Sequence, residues 1–229
     1  TQDTLGKAIF HTFLDLVAEP AMNADVCPAP RTSVKGTIFW WLSVRDKHAP
    51  ILIKLALAAL EAERNGWALK IFYSDEAESL ANDVKGMLPP RCRHSAALTL
   101  TPLASLGLPQ PPSRGHLSCF QFSQAYYKHS TTEHILVAGG DDVVVRRPLR
   151  PSEYTYALMG APWVWCQSRK YPEWCRYGGN GGFTYRAKSF AMKYCLKPDP
   201  REHFSEWQAT CREVRHLDDS MFARAVVEE

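Results

Sequence analysis

Two adjacent carboxylates, Asp141 and Asp142, follow Gly139 and Gly140 directly after the apolar run 135–138 (ILVA). Adjacent carboxylates repel each other, so a site that keeps both ionised usually supplies a cation. Hard oxygen ligands suit Mg²⁺ or Mn²⁺, and such ions commonly bridge carboxylates to phosphate oxygens. The segment therefore indicates a divalent metal site that carries a diphosphate. A polar turn between two strands, with Asp as a turn former, is the alternative interpretation.

A second acidic pair, Asp218 and Asp219, lies in the late segment 216–222 (HLDDSMF). A carboxylate presented into a cleft from the start of a helix can accept a proton from an attacking hydroxyl, which is the role of a general base. His216 is a candidate third ligand for the metal. Alternatively, the pair is a helix N-cap with acidic residues in the first turn.

Aromatic and glycine-rich segments separate the two acidic pairs. The segment 165–177 combines tryptophans with basic residues, and aromatic faces pack against sugars while guanidinium groups bind phosphates. Trp163, Trp165 and Trp174 are therefore candidate acceptor contacts. Segment 178–183 (GGNGGF) lacks the spacing of dinucleotide-binding and phosphate-binding loops. Its glycines allow the backbone to approach a ligand closely, unless the segment is a flexible hairpin tip.

The elements that must position these residues alternate between strands and helices. Apolar runs of strand length occur at 37–44 and 68–73, and a helix-length run at 51–60 lies between them, with Gly66 as its stop. This alternation predicts an α/β fold with a parallel sheet and helices on its faces. Further predicted elements are an amphipathic helix within residues 1–20, a helix capped by Ser74 with Asp75 and Glu76, a helix at 120–129 and a strand at 135–138.

Composition excludes several classes of protein. The 229 residues include 27 basic and 24 acidic side chains, and the net charge of +3 gives no case for nucleic-acid binding. No apolar stretch approaches the roughly 18 residues of a membrane span. The seven cysteines contain no C-x-x-C pair, which argues against structural zinc. They are either free thiols or, for Cys166 and Cys175, a disulfide in an oxidising compartment.

The order of these motifs resembles that of glycosyltransferases with the GT-A fold. It is most similar to a group with a GAPW…GNGGF…EDxxF pattern, matched here by 160–163 (GAPW), 178–186 (GGNGGFTYR) and 216–222 (HLDDSMF). The resemblance implies a GT-A-like single domain with a central mixed, mostly parallel sheet flanked by helices. It further implies an N-terminal helix and loop over 1–36, a nucleotide-sugar-binding half over 37–145 and an acceptor-binding half over 146–229.

The resemblance also implies roles for individual residues. Asp142 corresponds to the second Asp of the Asp-x-Asp element that holds Mn²⁺ or Mg²⁺ and the donor diphosphate in this fold. Gly140 stands where that element has its first Asp, so Asp141 either substitutes for it or metal dependence is weakened. Asp219, beside Asp218, corresponds to the catalytic base of inverting members. The remaining implied donor contacts are Ser43, Arg45, Asp75, Asn180 and Gly181.

These implications give an enzyme that moves a sugar from a UDP- or GDP-linked donor to a hydroxyl of a glycan, protein or small-molecule acceptor, with inversion. Two alternatives stay open, namely a nucleotidyltransferase acting on a sugar phosphate and a non-catalytic glycan-binding domain. No nucleic-acid partner and no membrane segment are expected. The compartment is a Golgi or other secretory lumen if an anchor has been removed, and otherwise the cytoplasm.

Overall fold

A computed structural model of the chain describes residues 34–43, 47–63, 66–90, 98–138, 151–161, 180–197 and 199–213, with a few positions between 8 and 23. The strands are β1 Gly36–Leu42, β2 Trp67–Tyr73, β3 Leu98–Pro102, β4 His134–Ala138, β5 Leu158–Ala161 and β6 Asn180–Ala187. The α-helices are α1 Ala49–Glu63, α2 Glu78–Gly86, α3 Arg114–Gln121, α4 Gln124–Lys128, α5 Lys188–Tyr194 and α6 Phe204–Glu213. Short 3₁₀ turns lie at Asp75–Ala77, Leu103–Leu106 and Pro151–Glu153.

The six strands form one sheet in the order β3-β2-β1-β4-β6-β5. Strands β1 to β4 are parallel, and β6 runs antiparallel between β4 and β5. The predicted α/β class with a central mixed, mostly parallel sheet and flanking helices is therefore confirmed. None of the helices among the described residues combines the length and the apolar character needed to cross a membrane.

Helices cover both faces of the sheet, and each face has its own hydrophobic core. Ile38 and Trp40 of β1 pack on one face with α1 and α2, which we call the α1 face. Phe39 packs on the other face with α3, α4, α5 and α6, which we call the α4 face. Because β1 is buried on both sides, its sequence is a nearly continuous apolar run rather than an alternating one.

Strands β1, β2 and β4 and the first long helix form where the apolar runs predict them, to within two or three residues. Gly66 follows α1 with a φ of 75°, which glycine adopts without strain, and its carbonyl accepts hydrogen bonds from the N–H groups of Lys35 and Gly36. Asp75 and Glu76 lie in the first turn of a helical element as predicted. Ser74 precedes them in extended conformation, but its side chain makes no capping hydrogen bond.

Two helical predictions differ from the structure. The helix expected over 120–129 is divided, because the backbone at Ser123 forms a parallel bridge with Leu196: the Leu196 N–H donates to the Phe122 carbonyl and the Gln124 N–H to the Leu196 carbonyl. In the N-terminal helical segment, the helical spacing of Leu5, Ile9, Phe13 and Leu16 predicts that Leu16 lies on the apolar face, but its side chain is 73% exposed.

A disulfide joins Cys119 of α3 to a cysteine outside the described side chains, whereas Cys195 is a buried free thiol. A native disulfide restricts the unfolded chain and typically stabilises a protein by about 2–4 kcal/mol. We therefore expect complete reduction to lower the free energy of unfolding of the wild-type protein by about that amount. Urea unfolding with and without reductant measures the difference, and thiol titration verifies the reduction. A Cys119→Ala variant should respond less to the reductant than the wild type, and an unchanged midpoint in the fully reduced wild type contradicts the expectation.

Candidate functional site at the carboxyl edge of the sheet

Strands β1, β2 and β4 end at the same edge of the sheet, which we call the carboxyl edge. The register pairs Leu42, the last residue of β1, with Tyr73, the last residue of β2. It also pairs Trp40 of β1 with Ala138, the last residue of β4. The segments that follow β1 and β2, beginning at Ser43 and Ser74, therefore start side by side, and β4 ends at the same edge.

The topology places a switch point at this edge. From β1 the chain proceeds outward to β2 and β3, and then returns to place β4 on the other side of β1. At such a point the connections leave two neighbouring strands in opposite directions, which opens a crevice outside their carboxyl ends. Ligands of open α/β sheets bind in this crevice. The candidate site therefore lies between the end of β1 and the end of β4.

Strand β6 brings the glycine-rich segment to the same edge. It runs against β4, with Thr184 paired to Val137, so its first residues lie beside the end of β4. Its register with β5 shifts between Gly160, paired to Thr184, and Ala161, paired to Asn180. The glycines of 181–182 fall within this irregularity, and β-bulges are frequent next to active sites. The segment from Asn180 onward is thus strand, not a hairpin tip.

Of the predicted donor contacts, Ser43 and Asp75 are described with their side chains, and both are exposed at the carboxyl edge. The Asp75 N–H donates to Oε1 of Gln110 at 3.3 Å, and Gln110 Nε2 donates to the Leu108 carbonyl at 3.2 Å. These bonds join the loop after β3 to the start of the segment after β2. Gln110 is therefore a further residue at this edge, and no local sequence signal distinguishes it within its proline-rich loop.

An aromatic cluster supports the carboxyl edge on the α4 face. The half-buried Trp41 ring stacks on Phe72, with 5.3 Å between ring centroids, and on Tyr126, with 5.6 Å. Its Nε1 donates to the Tyr126 hydroxyl at 3.3 Å. Complete burial raises the pKa of Tyr126 far above its ordinary value, so this hydroxyl remains protonated. The end of β1 is thereby held rigidly, directly before Ser43.

The arginine of the motif GGNGGF-x-x-R does not lie at the edge. Arg186 pairs with Ile135 at the start of β4 and is 1% exposed. Its Nη1 donates to the Tyr127 hydroxyl at 2.7 Å, and its guanidinium carbon lies 5.3 Å from the centre of the Phe122 ring. It thus joins β6 to α4 within the core of the α4 face, which is a structural role.

The structure places Ser43, Asp75 and the backbone of Asn180 and Gly181 along the carboxyl edge of the sheet. Among the described residues, no group of three His, Cys, Asp or Glu side chains is placed to hold a metal ion. The other predicted site residues lie outside the described residues; they are Arg45, Gly140, Asp141, Asp142, Trp163, Trp165, Trp174, His216, Asp218 and Asp219.

The fold is that of an α/β protein with an open, mostly parallel sheet, and the switch-point crevice at the carboxyl ends of its strands is the candidate ligand site. Residues 112–228, slightly more than half of the chain, match the family described as "Protein of unknown function (DUF5672)". The chain belongs to this family.

Comparison with solved structures finds a similarity to the mannosyltransferase Ktr4p of S. cerevisiae. The sequence identity is 10% and the TM-score is 0.42, and the alignment covers 95% of this chain and 72% of that chain. No curated protein sequence matches the chain significantly.

Proposed function

We propose that this protein is a glycosyltransferase that moves a sugar from a UDP- or GDP-linked donor to an acceptor hydroxyl. The observation that carries the proposal is the position of predicted donor contacts along the carboxyl edge, beside the switch point between β1 and β4. Ser43 follows β1, Asp75 follows β2, and β4 leads directly to Gly139 and the acidic pair beyond it. The order of sequence motifs supports the same activity, because it resembles that of GT-A glycosyltransferases.

In this proposal the carboxylates of Asp141 and Asp142, with His216, would hold Mn²⁺ or Mg²⁺. A divalent ion supplies charge that offsets the negative charge of the leaving diphosphate. Ser43, Arg45 and Asp75 contact the nucleoside. Asp219, with Asp218 beside it, removes the proton of the acceptor hydroxyl as that oxygen attacks the anomeric carbon opposite the leaving group.

The acceptor side of the proposal rests on the segments after β5 and at the start of β6. Trp163, Trp165 and Trp174 pack against the acceptor, since aromatic rings cover the apolar faces of sugars. The irregular pairing at the start of β6 gives the backbone near Asn180 and Gly181 room to approach the transferred sugar. A bulge of this kind re-aims a strand without lengthening the loop before it.

A thermal-shift series with UDP, GDP and their sugar conjugates, each with and without Mn²⁺, tests the donor site. A ligand present at 100 times its dissociation constant adds about 2.7 kcal/mol to the free energy of unfolding. We expect one nucleotide to stabilise the wild-type protein and Mn²⁺ to strengthen the effect. Asp142→Ala should bind that nucleotide more weakly and lose the dependence on Mn²⁺.

Asp83→Asn is the matched control, because Asp83 is an exposed carboxylate in α2 on the α1 face. Unchanged Mn²⁺-dependent binding in Asp142→Ala removes the metal assignment. If no nucleotide stabilises the wild type, the proposal fails and a glycan-binding domain takes its place. Release of a nucleoside diphosphate during turnover is expected, whereas release of pyrophosphate identifies a nucleotidyltransferase.

A further inference from the structure

A polar cluster lies on the α4 face, beside the edge strand β3 and away from the predicted donor contacts. Lys70 of β2 and Thr99 of β3 are partners in the parallel register, and Phe72 and Thr101 are the next such pair. Side chains at paired positions point to the same face of a sheet. Leu98 and Leu100 pack on the α1 face, so both threonines stand beside Lys70 and Phe72 on the α4 face.

The ammonium group of Lys70 has N–H donors that make no hydrogen bond within the part of the chain that the structure describes. The half-buried Nζ donates to the carbonyl oxygen of His129, at the end of α4, at 3.3 Å. No carboxylate of the described residues lies within ion-pair distance of it. A lysine ammonium carries three N–H donors, so two remain for another acceptor. Burial lowers the pKa of Lys70, as expected for a cation without a compensating anion.

A second cation approaches from the segment before α6. The Arg201 guanidinium binds the buried Asp199 carboxylate through two bonds, Nε to Oδ1 at 3.1 Å and Nη2 to Oδ2 at 2.8 Å. The Arg201 side chain is 44% exposed, so the remaining N–H groups of its guanidinium face solvent. The Arg201 backbone packs against Gly107, just after the 3₁₀ turn that follows β3, where a Cβ would lie 3.1 Å from the Arg201 Cα.

Both of these charges act on the imidazole of His129. Its ring contacts Phe72 edge-on at 5.7 Å between ring centroids. Burial, and then the nearby Lys70 and Arg201, lower the pKa of His129 to about 4, against the opposing effect of Asp199. The charge of Lys128 also lowers the pKa of Asp199, and the charge of Glu202 raises the pKa of Arg201. Within this cluster two cations, Lys70 and Arg201, are opposed by the single buried carboxylate of Asp199.

We propose that this cluster binds an oxyanion the size of a phosphate group, between Lys70, Thr99, Thr101, His129 and Arg201. The Lys70 ammonium and the outer guanidinium N–H groups of Arg201 supply charged donors, which form the stronger hydrogen bonds to phosphate oxygens. The two threonine hydroxyls add neutral donors along the edge strand. The anion balances the excess positive charge and completes the hydrogen bonding of Lys70. The site is independent of the donor site proposed above.

Binding at this site depends on pH in a direction that follows from His129. An anion beside the imidazole favours its protonated form, which donates a further hydrogen bond, so binding is coupled to proton uptake. For an anion whose own charge is constant over this range, such as sulfate, the affinity should therefore rise as the pH falls from 7 towards 5. Without an anion, the positive charges of Lys70 and Arg201 oppose protonation of His129. The protonated form is therefore expected in this pH range only when an anion is bound.

Calorimetric titration of the whole chain with inorganic phosphate, at constant ionic strength and without divalent metal, tests the site. Lys70→Gln should weaken phosphate binding at least tenfold, and Thr99→Val should weaken it severalfold with little effect on folding, because Thr99 is exposed. Lys85→Gln, which makes the same change in charge on an exposed lysine of α2, should bind as the wild type does. The His129 ring resonances should move on addition of phosphate.

A parallel titration with a hexose phosphate separates two sources of the anion. Tighter binding of the hexose phosphate identifies a phosphorylated metabolite as the ligand, and equal binding identifies the free anion. Equal affinity of the wild type and Lys70→Gln for phosphate overturns the proposal. So does the absence of phosphate binding to the wild type at pH 5.5, where the coupling with His129 favours it.

Discussion

Replacing Asp219 by Asn is expected to lower the rate of sugar transfer by about 10²–10⁴-fold, the usual contribution of a general base. The amide has nearly the same shape as the carboxylate but cannot accept the proton of the acceptor hydroxyl. Donor binding should be retained, because Asp219 is neither a proposed donor contact nor a proposed metal ligand. Turnover is measured as nucleoside diphosphate released with saturating donor and acceptor.

Asp218→Asn is the matched control, because it removes a neighbouring carboxylate of the same acidic pair. If Asp219 is the base, Asp218→Asn should retain most of the activity, and the product should have the opposite anomeric configuration to the donor. Near-normal turnover in Asp219→Asn would contradict the assignment of Asp219 as the base. Equal losses of turnover in both variants would indicate an electrostatic role of the acidic pair. Thermal-shift titration with the donor nucleotide separates a loss of chemistry from a loss of binding.

The sequence predicts β1, β2 and β4 because local signals there agree with the tertiary structure. The run 37–44 is apolar throughout because β1 is buried on both faces of the sheet. The helix-length run 51–60 lies between two strand-length runs, which is typical of a crossover that joins two parallel strands. The position of β6 could not be predicted in this way. Segment 180–187 begins with glycines that read as a loop, and its strand depends on pairing with β4 and β5.

The candidate site was predictable to the extent that it follows strand ends. The segments after 37–44, 68–73 and 135–138 could be identified from composition, and the switch point then brings Ser43 and Asp75 to one edge. Residues that reach the site through long-range contacts could not be identified from the sequence. Gln110 reaches Asp75 across 35 positions of sequence, and the polar cluster near Lys70 draws on His129 and Arg201 from distant segments.

Arg186, the last residue of the motif GGNGGF-x-x-R, lies in the core and not at the candidate site. Its side chain is buried between β6 and α4. A guanidinium in such a position is stabilised by the hydrogen bonds and the ring faces around it. Its donor bond to the Tyr127 hydroxyl is 2.7 Å long, and the Phe122 ring lies 5.3 Å away.

Arg186→Ala is therefore expected to reduce the free energy of unfolding by about 3–5 kcal/mol, through the space left in the core and the buried hydroxyls left without a donor. Tyr127→Phe removes only the acceptor and should cost about 1.5–3 kcal/mol, the value of a hydrogen bond to a charged group. This milder variant keeps the argument testable if Arg186→Ala does not fold. Urea unfolding followed by tryptophan fluorescence measures both changes.

Lys193→Ala is the matched control, because Lys193 also places its charge over an aromatic ring, at 4.8 Å from the centre of Tyr194, but lies exposed on α5. An exposed cation–π contact contributes about 0.5–1 kcal/mol, so this variant should be nearly as stable as the wild type. If Arg186→Ala were no more destabilising than Lys193→Ala, the buried guanidinium would not support the α4 face. A ligand-binding role for the motif arginine would then be the better explanation, and loss of nucleotide binding in the folded Arg186→Ala variant would identify it.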